Sequence, residues 1–244
     1  MMSKTVTGLF MKTTDPAFVE AAGYAGMDYA ILDMEHGPAS INQVQNNIRA
    51  AQISGMLPIV RVEKLCEHAI LQALDIGAAG VQVPKVSSAE QAQMVVKYAK
   101  YFPEGERGVC RFVRSARYSH TPKENYFKDA NHENIVIIQL EGGGVLSELD
   151  AILNVKGIDI IFVGPYDLSQ SLGLTGQTSH PEVMAAMKEI ITRTNAVGIA
   201  TGTFIDSPES YIGWKNAGVK YLSYSVDVGL FYEACKAIGA FAVR

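Results

Sequence analysis

The feature that most constrains this chain is a regular alternation of short apolar runs with stretches of helical period. Each run is five to seven residues long and rich in aliphatic residues, as in parallel strands buried on both faces. The runs are residues 6–10, 29–34, 57–62, 80–84, 135–140, 159–163, 199–204 and 219–225. Eight parallel strands joined by helical crossovers close into a barrel, so the sequence predicts an α/β protein with the TIM (β/α)8 barrel fold.

The chain is expected to form one domain over residues 1–244. No composition shift marks a linker, and 48% of the 244 residues are hydrophobic, enough for a large core. The alternative fold is an open doubly wound sheet. That fold usually carries G-x-G-x-x-G after its first strand, and this motif is absent from the sequence.

One segment, residues 101–134, interrupts the alternation. It is too long for an ordinary connection and is predicted to be an extended loop or small subdomain. Its arginines are Arg107, Arg111, Arg114 and Arg117. They could meet an anionic substrate, or they could line a contact between subunits.

Composition excludes several classes of partner. A formal net charge of −4 argues against nucleic-acid binding. We expect neither a signal peptide nor a membrane span, because no apolar run approaches ~18 residues. Cys66, Cys110 and Cys235 lie far apart without a C-x-x-C motif, which favours reduced thiols and a cytoplasmic location.

Polar side chains gather where the predicted strands end. They are Asp33, Glu35 and His36 at the end of the second run, Arg61 in the third, Gln139 and Glu141 at the fifth, and Asp167 after the sixth. In a closed barrel these positions share one face, where ligands bind. The sequence therefore predicts a catalytic site there.

These residue types suit a metal-assisted reaction. Glu141 and Asp167 offer the oxygen ligands that hard divalent cations prefer. Arg61 could stabilise an enolate or bind a carboxylate, and His36 beside Asp33 could act as a general acid or base. Structural roles are also open: Arg61 could pair with Glu63, Asp167 could cap a helix, and Glu141 could be a solvated loop residue.

The motifs occur together in an order that resembles a known family. They are Asp33-Met34-Glu35-His36-Gly37-Pro38, Leu74-Asp75-x-Gly77-Ala78-x-Gly80-Val81-x-Val83-Pro84, Glu104-Gly105-x-Arg107-Gly108, Gln139-x-Glu141 and Val163-Gly164-Pro165-x-Asp167-Leu168-Ser169. This set is similar to the HpcH/HpaI aldolase family of metal-dependent pyruvate aldolases, and the likeness covers nearly the whole chain.

The resemblance implies a class II aldolase that reversibly cleaves a 4-hydroxy-2-oxo acid into pyruvate and an aldehyde. It assigns Mg²⁺, Mn²⁺ or Co²⁺ to Glu141 and Asp167, and the proton transfer to His36 oriented by Asp33. It implies that Arg61, Gln139, Gly164 and Pro165 bind the 2-oxo acid, with Arg61 stabilising the enolate. It also implies a homo-oligomer, a hexamer built from dimers that exchange a C-terminal helix.

Two positions depart from the family pattern: Val62-Glu63-Lys64 follows Arg61, and Gly142-Gly143-Gly144 follows Glu141. The first places an additional acid near Arg61 in the sequence. Three alternative functions remain. One is a Schiff-base aldolase using Lys85, which would need a lowered lysine pKa. The others are an enolate-forming enzyme acting as a CoA-thioester lyase or decarboxylase, and a non-catalytic ligand-binding barrel.

Overall fold

A computed structural model describes residues 4–142 and 144–242, and its eight parallel strands form a closed barrel. The strands are β1 (Val6–Met11), β2 (Tyr29–Asp33), β3 (Leu57–Arg61), β4 (Gly80–Val86), β5 (Ile135–Leu140), β6 (Ile160–Val163), β7 (Ala200–Ile205) and β8 (Tyr221–Val226). Strand β8 pairs with β1, with Tyr221 opposite Val6, which closes the sheet. The predicted TIM barrel is confirmed.

Helices follow the strands and cover the outside of the barrel. They are α1 (Pro16–Tyr24), α2 (Ile41–Ile53), α3 (Glu67–Asp75), α4 (Ala89–Ala99), α5 (Lys123–Glu133), α6 (Val145–Leu153), α7 (Pro165–Ser171), α8 (Pro181–Ala196), α9 (Pro208–Asn216) and α10 (Asp227–Ala242). Asp15 caps α1 by accepting the N–H of Ala17, which confirms that helix start. None of the helices in the described ranges is long and apolar enough to cross a membrane.

The barrel interior changes from apolar to polar at the C-terminal ends of the strands. Side chains two places apart on a strand point to the same face. Ile31, Ile59 and Ile137 pack inside the barrel, and Asp33, Arg61 and Gln139 stand two residues further along the same strands. This spacing places a buried polar layer directly above the apolar core. It fixes the position of the candidate site.

The segment at 101–134 contains a 3₁₀ helix at Arg114–Ser119 and helix α5. Its side chains form a separate small cluster around Tyr101 and Tyr126. The segment joins the end of α4 to the start of β5. It therefore lies at the N-terminal end of the barrel, opposite the face where strands lead into helices.

Three arginines of this segment, Arg107, Arg111 and Arg114, bind the protein itself. Arg107 pairs with Asp75 at the end of α3, with 2.7 Å between Nη2 and Oδ1. Arg114 donates to the carbonyl of Ile76, also at that end of α3. Arg111 donates to carbonyls within the segment. The expectation that Arg107 and Arg114 meet a substrate in their own subunit is wrong, because both lie at the opposite end of the barrel.

Candidate active site

Two adjoining cavities open at the C-terminal end of the barrel. The outer cavity, of about 770 Å³, is lined by residues that include Glu35, His36, Arg61, Lys85, Gln139, Glu141, Tyr166 and Asp167. The inner cavity, of about 240 Å³, is lined by residues that include Phe10, Lys12, Phe162, Gly164, Pro165 and Phe204. His36, Arg61, Gln139, Tyr166 and Asp167 line both. The structure thus brings together the side chains that the sequence predicted at one site.

Asp33 and Arg61 form a buried, two-point ion pair below this mouth. Arg61 Nε and Nη2 donate to the two carboxylate oxygens of Asp33, each at 2.8 Å. Burial alone would raise the pKa of Asp33, but the Arg61 guanidinium outweighs burial and holds that pKa below its ordinary value. The residues are register partners on neighbouring strands, which explains how the pair forms. Asp33 therefore fixes the orientation of Arg61.

The expectation that Asp33 orients the ring of His36 is wrong. The Asp33 carboxylate accepts backbone N–H groups of Glu35 and His36, at 3.1 and 3.3 Å, and otherwise faces Arg61 and Lys12. The imidazole Nε2 of His36 lies instead 3.8 Å from Glu35 Oε1, and 61% of the side chain is exposed. His36 is thus an accessible group at the mouth of the barrel, with Glu35 as its nearest carboxylate.

The Glu35 carboxylate lies between the cations of Arg61 and Lys85. The sequence analysis placed Glu35 at the site but assigned it no role. Its Oε2 lies 3.0 Å from Arg61 Nη1, and its Oε1 lies 3.0 Å from Lys85 Nζ. The Glu35 side chain is only 5% exposed, so its charge is matched by these neighbours rather than by water. The anticipated partner Glu63 is exposed, and the carboxylates paired with Arg61 are Asp33 and Glu35.

A chain of amides leads from β4 to Glu141. Gln82 Nε2 donates to Gln139 Oε1 at 2.7 Å, and Gln139 Nε2 donates to Glu141 Oε1. Gln82 is fully buried, so its hydrogen bond to Gln139 is shielded from solvent. Gln139 therefore presents Glu141 to the cavity. The sequence analysis paired Gln139 with Glu141 but did not identify Gln82. The side chain of Gln82 on β4 lies on the same side of the sheet as that of Gln139 on β5.

The site is rich in carboxylates around the predicted metal ligands. Burial, followed by the negative charges of Asp167 and Glu35, raises the pKa of Glu141 to about 7. A carboxyl group shifted in this way would be stabilised as the anion by an added cation. No group of three or more His, Cys, Asp or Glu side chains in the described ranges is arranged to hold a metal. Two carboxylates nevertheless fit Mg²⁺ or Mn²⁺, which commonly retain water or substrate oxygens as further ligands.

Asp167 lies in the first turn of α7, which begins at Pro165 directly after β6. The helix N-terminus favours a negative charge at this position. Gly164 precedes the helix, and a Cβ built there would lie 2.9 Å from Asp167 Oδ2. A side chain at position 164 would therefore push against the carboxylate. The alternative assignment of Asp167 as a helix cap does not hold, because Gly164 occupies the cap position.

Lys85 also reaches the mouth, from β4. Its pKa is raised above the ordinary lysine value, chiefly by the Glu35 carboxylate and further by Glu141 and Asp167. A Schiff base requires a neutral amine, so this environment opposes the Lys85 aldolase alternative. The sequence analysis assigned Lys85 only the role of a Schiff-base lysine. Its pairing with Glu35 could not be read from residues so far apart in the sequence.

Comparisons with known proteins agree with this geometry. Residues 6–234 match the family model described as HpcH/HpaI aldolase/citrate lyase. The chain is 37% identical over 238 residues to 2-keto-3-deoxy-L-rhamnonate aldolase from Klebsiella pneumoniae, covering 96% of this chain and 87% of that protein. It is 34% identical over 238 residues to hydroxypyruvate/pyruvate aldolase from Roseobacter denitrificans, covering 97% and 92%.

The fold has a similarly close match among solved structures. A crystal structure of an HpcH/HpaI aldolase/citrate lyase family protein from Burkholderia cenocepacia superposes with a TM-score of 0.92. The two chains are 29% identical, and the match covers 99% of this chain and 95% of that one. The family match over residues 6–234 spans every residue that lines the two cavities.

Proposed function

This chain belongs to the HpcH/HpaI aldolase/citrate lyase family and is an aldolase, a carbon–carbon lyase; we propose that it depends on a divalent metal and reversibly cleaves a 4-hydroxy-2-oxo acid into pyruvate and an aldehyde. The observation that carries the proposal is the arrangement of Glu141, Asp167 and Arg61 around one cavity. Burial and the nearby charges of Asp167 and Glu35 raise the pKa of Glu141, and a cation bound there would favour its anionic form.

Each side chain has a distinct task in this reaction. Glu141 and Asp167 would hold a divalent cation, which would supply Lewis-acid chemistry to the bound 2-oxo acid. Arg61 places a fixed positive charge where negative charge develops on the keto oxygen. Its guanidinium needs no reorganisation, because Asp33 and Glu35 hold it on two sides. Gln139 holds Glu141 in place and borders the 2-oxo acid.

His36 is proposed to receive the proton of the C4 hydroxyl group, directly or through one water. Loss of that proton converts C4 into the aldehyde carbon, and the electron pair of the C3–C4 bond passes to the three-carbon fragment. That fragment leaves as the enolate of pyruvate and becomes pyruvate when C3 is protonated. His36 suits this task, because its ring is accessible and lies beside the Glu35 carboxylate.

The inner cavity is proposed to hold the pyruvate half of the substrate. Gly164 and Pro165 form part of its wall together with Arg61 and Gln139. Phe10 and Phe162 add apolar surface suited to the C3 methyl group of pyruvate. The outer cavity is larger and would hold the aldehyde half.

The test is aldol formation from pyruvate and a panel of aldehydes, with and without divalent metal. We expect EDTA to abolish activity, and added Mg²⁺, Mn²⁺ or Co²⁺ to restore it. Borohydride with pyruvate should give no adduct on Lys85 by mass spectrometry. Full activity in EDTA together with a trapped lysine adduct would show that the enzyme uses a Schiff base instead.

Assembly into a homo-oligomer, in the form of a dimer-based hexamer, is part of the proposal. Helix α10 supports it, because several large apolar side chains on that helix are exposed. They are Val228, Leu230, Phe231, Tyr232, Ile238 and Phe241. A second copy of the chain would remove this surface from water. A cytoplasmic location is also proposed and fits the free thiols of Cys66, Cys110 and Cys235.

A further inference from the structure

We propose that Lys12 gives a proton to C3 of the pyruvate enolate during cleavage and removes that proton during condensation. The inference rests on the aldolase reaction proposed above, in which the proton on C3 has no assigned donor. His36 handles the proton on the C4 hydroxyl group, and Lys12 handles the proton on carbon. Lys12 is then a second catalytic side chain, one that the sequence analysis did not identify.

Lys12 belongs to the polar layer at the C-terminal end of the barrel. It directly follows β1 and stands two residues beyond Phe10, which packs inside the barrel. Asp33 stands in the same relation to Ile31 on the neighbouring strand β2. Because side chains two places apart point to the same face, Lys12 also points to the interior. Its Nζ lies 4.0 Å from Asp33 Oδ2, as the register of β1 against β2 leads one to expect.

The backbone at Lys12 is held from two sides. The N–H of Lys12 donates to both carboxylate oxygens of Asp227, each at 3.0 Å, and the N–H of Thr13 donates to Asp227 Oδ2 at 2.8 Å. On the other side, Asn47 Nδ2 donates to the carbonyl of Thr13 at 3.1 Å. Asp227 and Asn47 are both buried. The point from which the Lys12 side chain leaves the backbone is therefore fixed.

The ammonium group of Lys12 is accessible and only loosely paired. The side chain is 31% exposed and lines the inner cavity. Among the residues that the structure describes, Asp33 carries the only carboxylate within 4.0 Å of Nζ, and Arg61 already binds that carboxylate at two points. An ammonium group has three N–H donors, so Lys12 retains donors for a substrate atom.

The position of Lys12 in the barrel matches the expected position of C3. Strand β1 lies across the closed barrel from β5, and Glu141 directly follows β5. In the proposed reaction the carboxylate and keto oxygens of the 2-oxo acid face Glu141, Asp167 and Arg61. The C3 atom is then turned away from the metal ligands and towards β1. Lys12 and Phe10 line that side of the inner cavity.

The proton transfer at C3 balances without a further reactant. In cleavage, an N–H bond of the Lys12 ammonium group breaks and a C3–H bond forms from the electron pair of the enolate double bond, which restores the keto group. The neutral amine of Lys12 regains a proton from solvent, and His36 returns to solvent the proton that it took from the C4 hydroxyl group. In condensation the neutral amine removes a methyl proton, and the same bonds form and break in reverse.

The experiment compares two reactions that form the same enolate. Exchange of the pyruvate methyl hydrogens for deuterium needs a base at C3. Decarboxylation of oxaloacetate needs none, because loss of CO₂ forms the enolate, which water can protonate after release. At saturating Mg²⁺, Lys12→Met should slow exchange by at least about 10²-fold and change the rate of oxaloacetate loss by less than about threefold. Lys12→Arg should lose exchange equally, because a guanidinium group keeps the charge but does not give up a proton.

Two further variants separate proton transfer from damage to the site. Lys4→Met is the matched control, because Lys4 precedes the same strand and pairs with Asp28 at 3.5 Å at the opposite end of the barrel. It should exchange at the wild-type rate. Lys12→Cys treated with 2-bromoethylamine regains an amine on a side chain of lysine length and should regain exchange. Wild type treated in the same way accounts for alkylation of the native cysteines.

The outcomes that would overturn the inference are distinct. Wild-type exchange in Lys12→Met would refute the role of Lys12 and retain the proposed function. Equal loss of exchange and decarboxylation in Lys12→Met would show that Lys12 only supports the site through its charge or packing. A pyruvate adduct trapped on Lys12 by borohydride would replace both proposals with a Schiff base. A wild-type enzyme with neither exchange nor decarboxylation would refute the proposed function, and this inference with it.

Discussion

At the scale of single residues, the site depends on how Arg61 is held. Asp33 binds its guanidinium at two points, Glu35 lies on a third nitrogen, and the ring of Phe10 lies 4.7 Å from the guanidinium carbon. A charge fixed in this way stabilises a developing anion without first reorganising. His36 has no such support and is more exposed. The structure therefore separates a guanidinium group that is held on several sides from an exposed imidazole.

This separation predicts different effects on two reactions that share an enolate. Aldol cleavage needs a base for the C4 hydroxyl group, whereas decarboxylation of oxaloacetate has no such proton to remove. His36→Ala should slow aldol cleavage by about 10²–10⁴-fold and reduce decarboxylation much less. Both rates should be measured at saturating metal. Equal loss of both reactions would assign His36 to the metal–pyruvate complex rather than to proton transfer.

At the scale of secondary structure, the turn from β6 into α7 sets the position of Asp167, the proposed metal ligand. Gly164 has an ordinary φ, so alanine there would cause no backbone strain, only a contact of its Cβ with Asp167. Gly164→Ala should weaken Mn²⁺ binding by about tenfold or more and leave the melting temperature nearly unchanged. Calorimetric titration of Mn²⁺ measures the first, and thermal unfolding the second.

Gly213→Ala is the matched control, because a Cβ at Gly213 in α9 would meet no atom within 4 Å. Gly213→Ala should leave Mn²⁺ affinity at the wild-type value. Unchanged Mn²⁺ affinity in Gly164→Ala would mean that Asp167 does not bind the metal or that its carboxylate moves freely.

Regular elements could be predicted from the sequence better than irregular ones. Buried parallel strands are short apolar runs, so each predicted run coincides with an observed strand to within a few residues. The ends of these runs also placed Arg61 and Gln139 at one mouth of the barrel, with Asp33 bound to Arg61 beneath it. Helices α5 and α7 were not predicted. The first lies in the irregular segment at 101–134, and the second is a short helix of seven residues.

The contacts between the residues of the site were harder to predict than which residues belong to it. Asp33 and His36 are close in sequence, which suggested that their side chains interact. The register of β2 against β3 places Asp33 opposite Arg61 instead. The link from Glu35 to Lys85 depends on a strand irregularity that residue types do not reveal. The side of the barrel on which the segment at 101–134 lies was predictable, because it follows a helix and precedes a strand. The arginines of the segment suggested instead a contact with an anionic substrate.

At the scale of the whole molecule, the two ends of the barrel are used differently. Loops that follow the strands form the site at the C-terminal end of the barrel. The segment at 101–134 places a 3₁₀ helix and helix α5 at the N-terminal end. Helix α10 packs on the barrel near its start, where Phe231 meets Phe18, and exposes apolar side chains beyond. This surface is the basis for the proposed assembly.

Light scattering after size-exclusion chromatography should give a mass six times that of the 26.4 kDa chain. Replacing Ile238 and Phe241, which are 67% and 80% exposed, by lysine should lower that mass, because two charges cannot be buried in an apolar contact. Val197→Lys, at a position 55% exposed after α8, is the control and should keep the wild-type mass. A wild-type mass of 26.4 kDa would contradict the proposed assembly.

The most direct test of the central claim is deuterium exchange into the methyl group of pyruvate, followed by proton NMR in D₂O without any aldehyde. This reaction isolates formation of the enolate at Glu141, Asp167 and Arg61. Wild type with Mg²⁺ should exchange the methyl hydrogens. The control Lys97→Met should match it, because Lys97 lies on α4 outside the barrel and pairs with Glu106. Exchange should fall by at least about 10²-fold in EDTA and in Asp167→Asn with Mg²⁺. Exchange that continues at the wild-type rate in Asp167→Asn, or in EDTA, would contradict a metal-dependent enolate at this site.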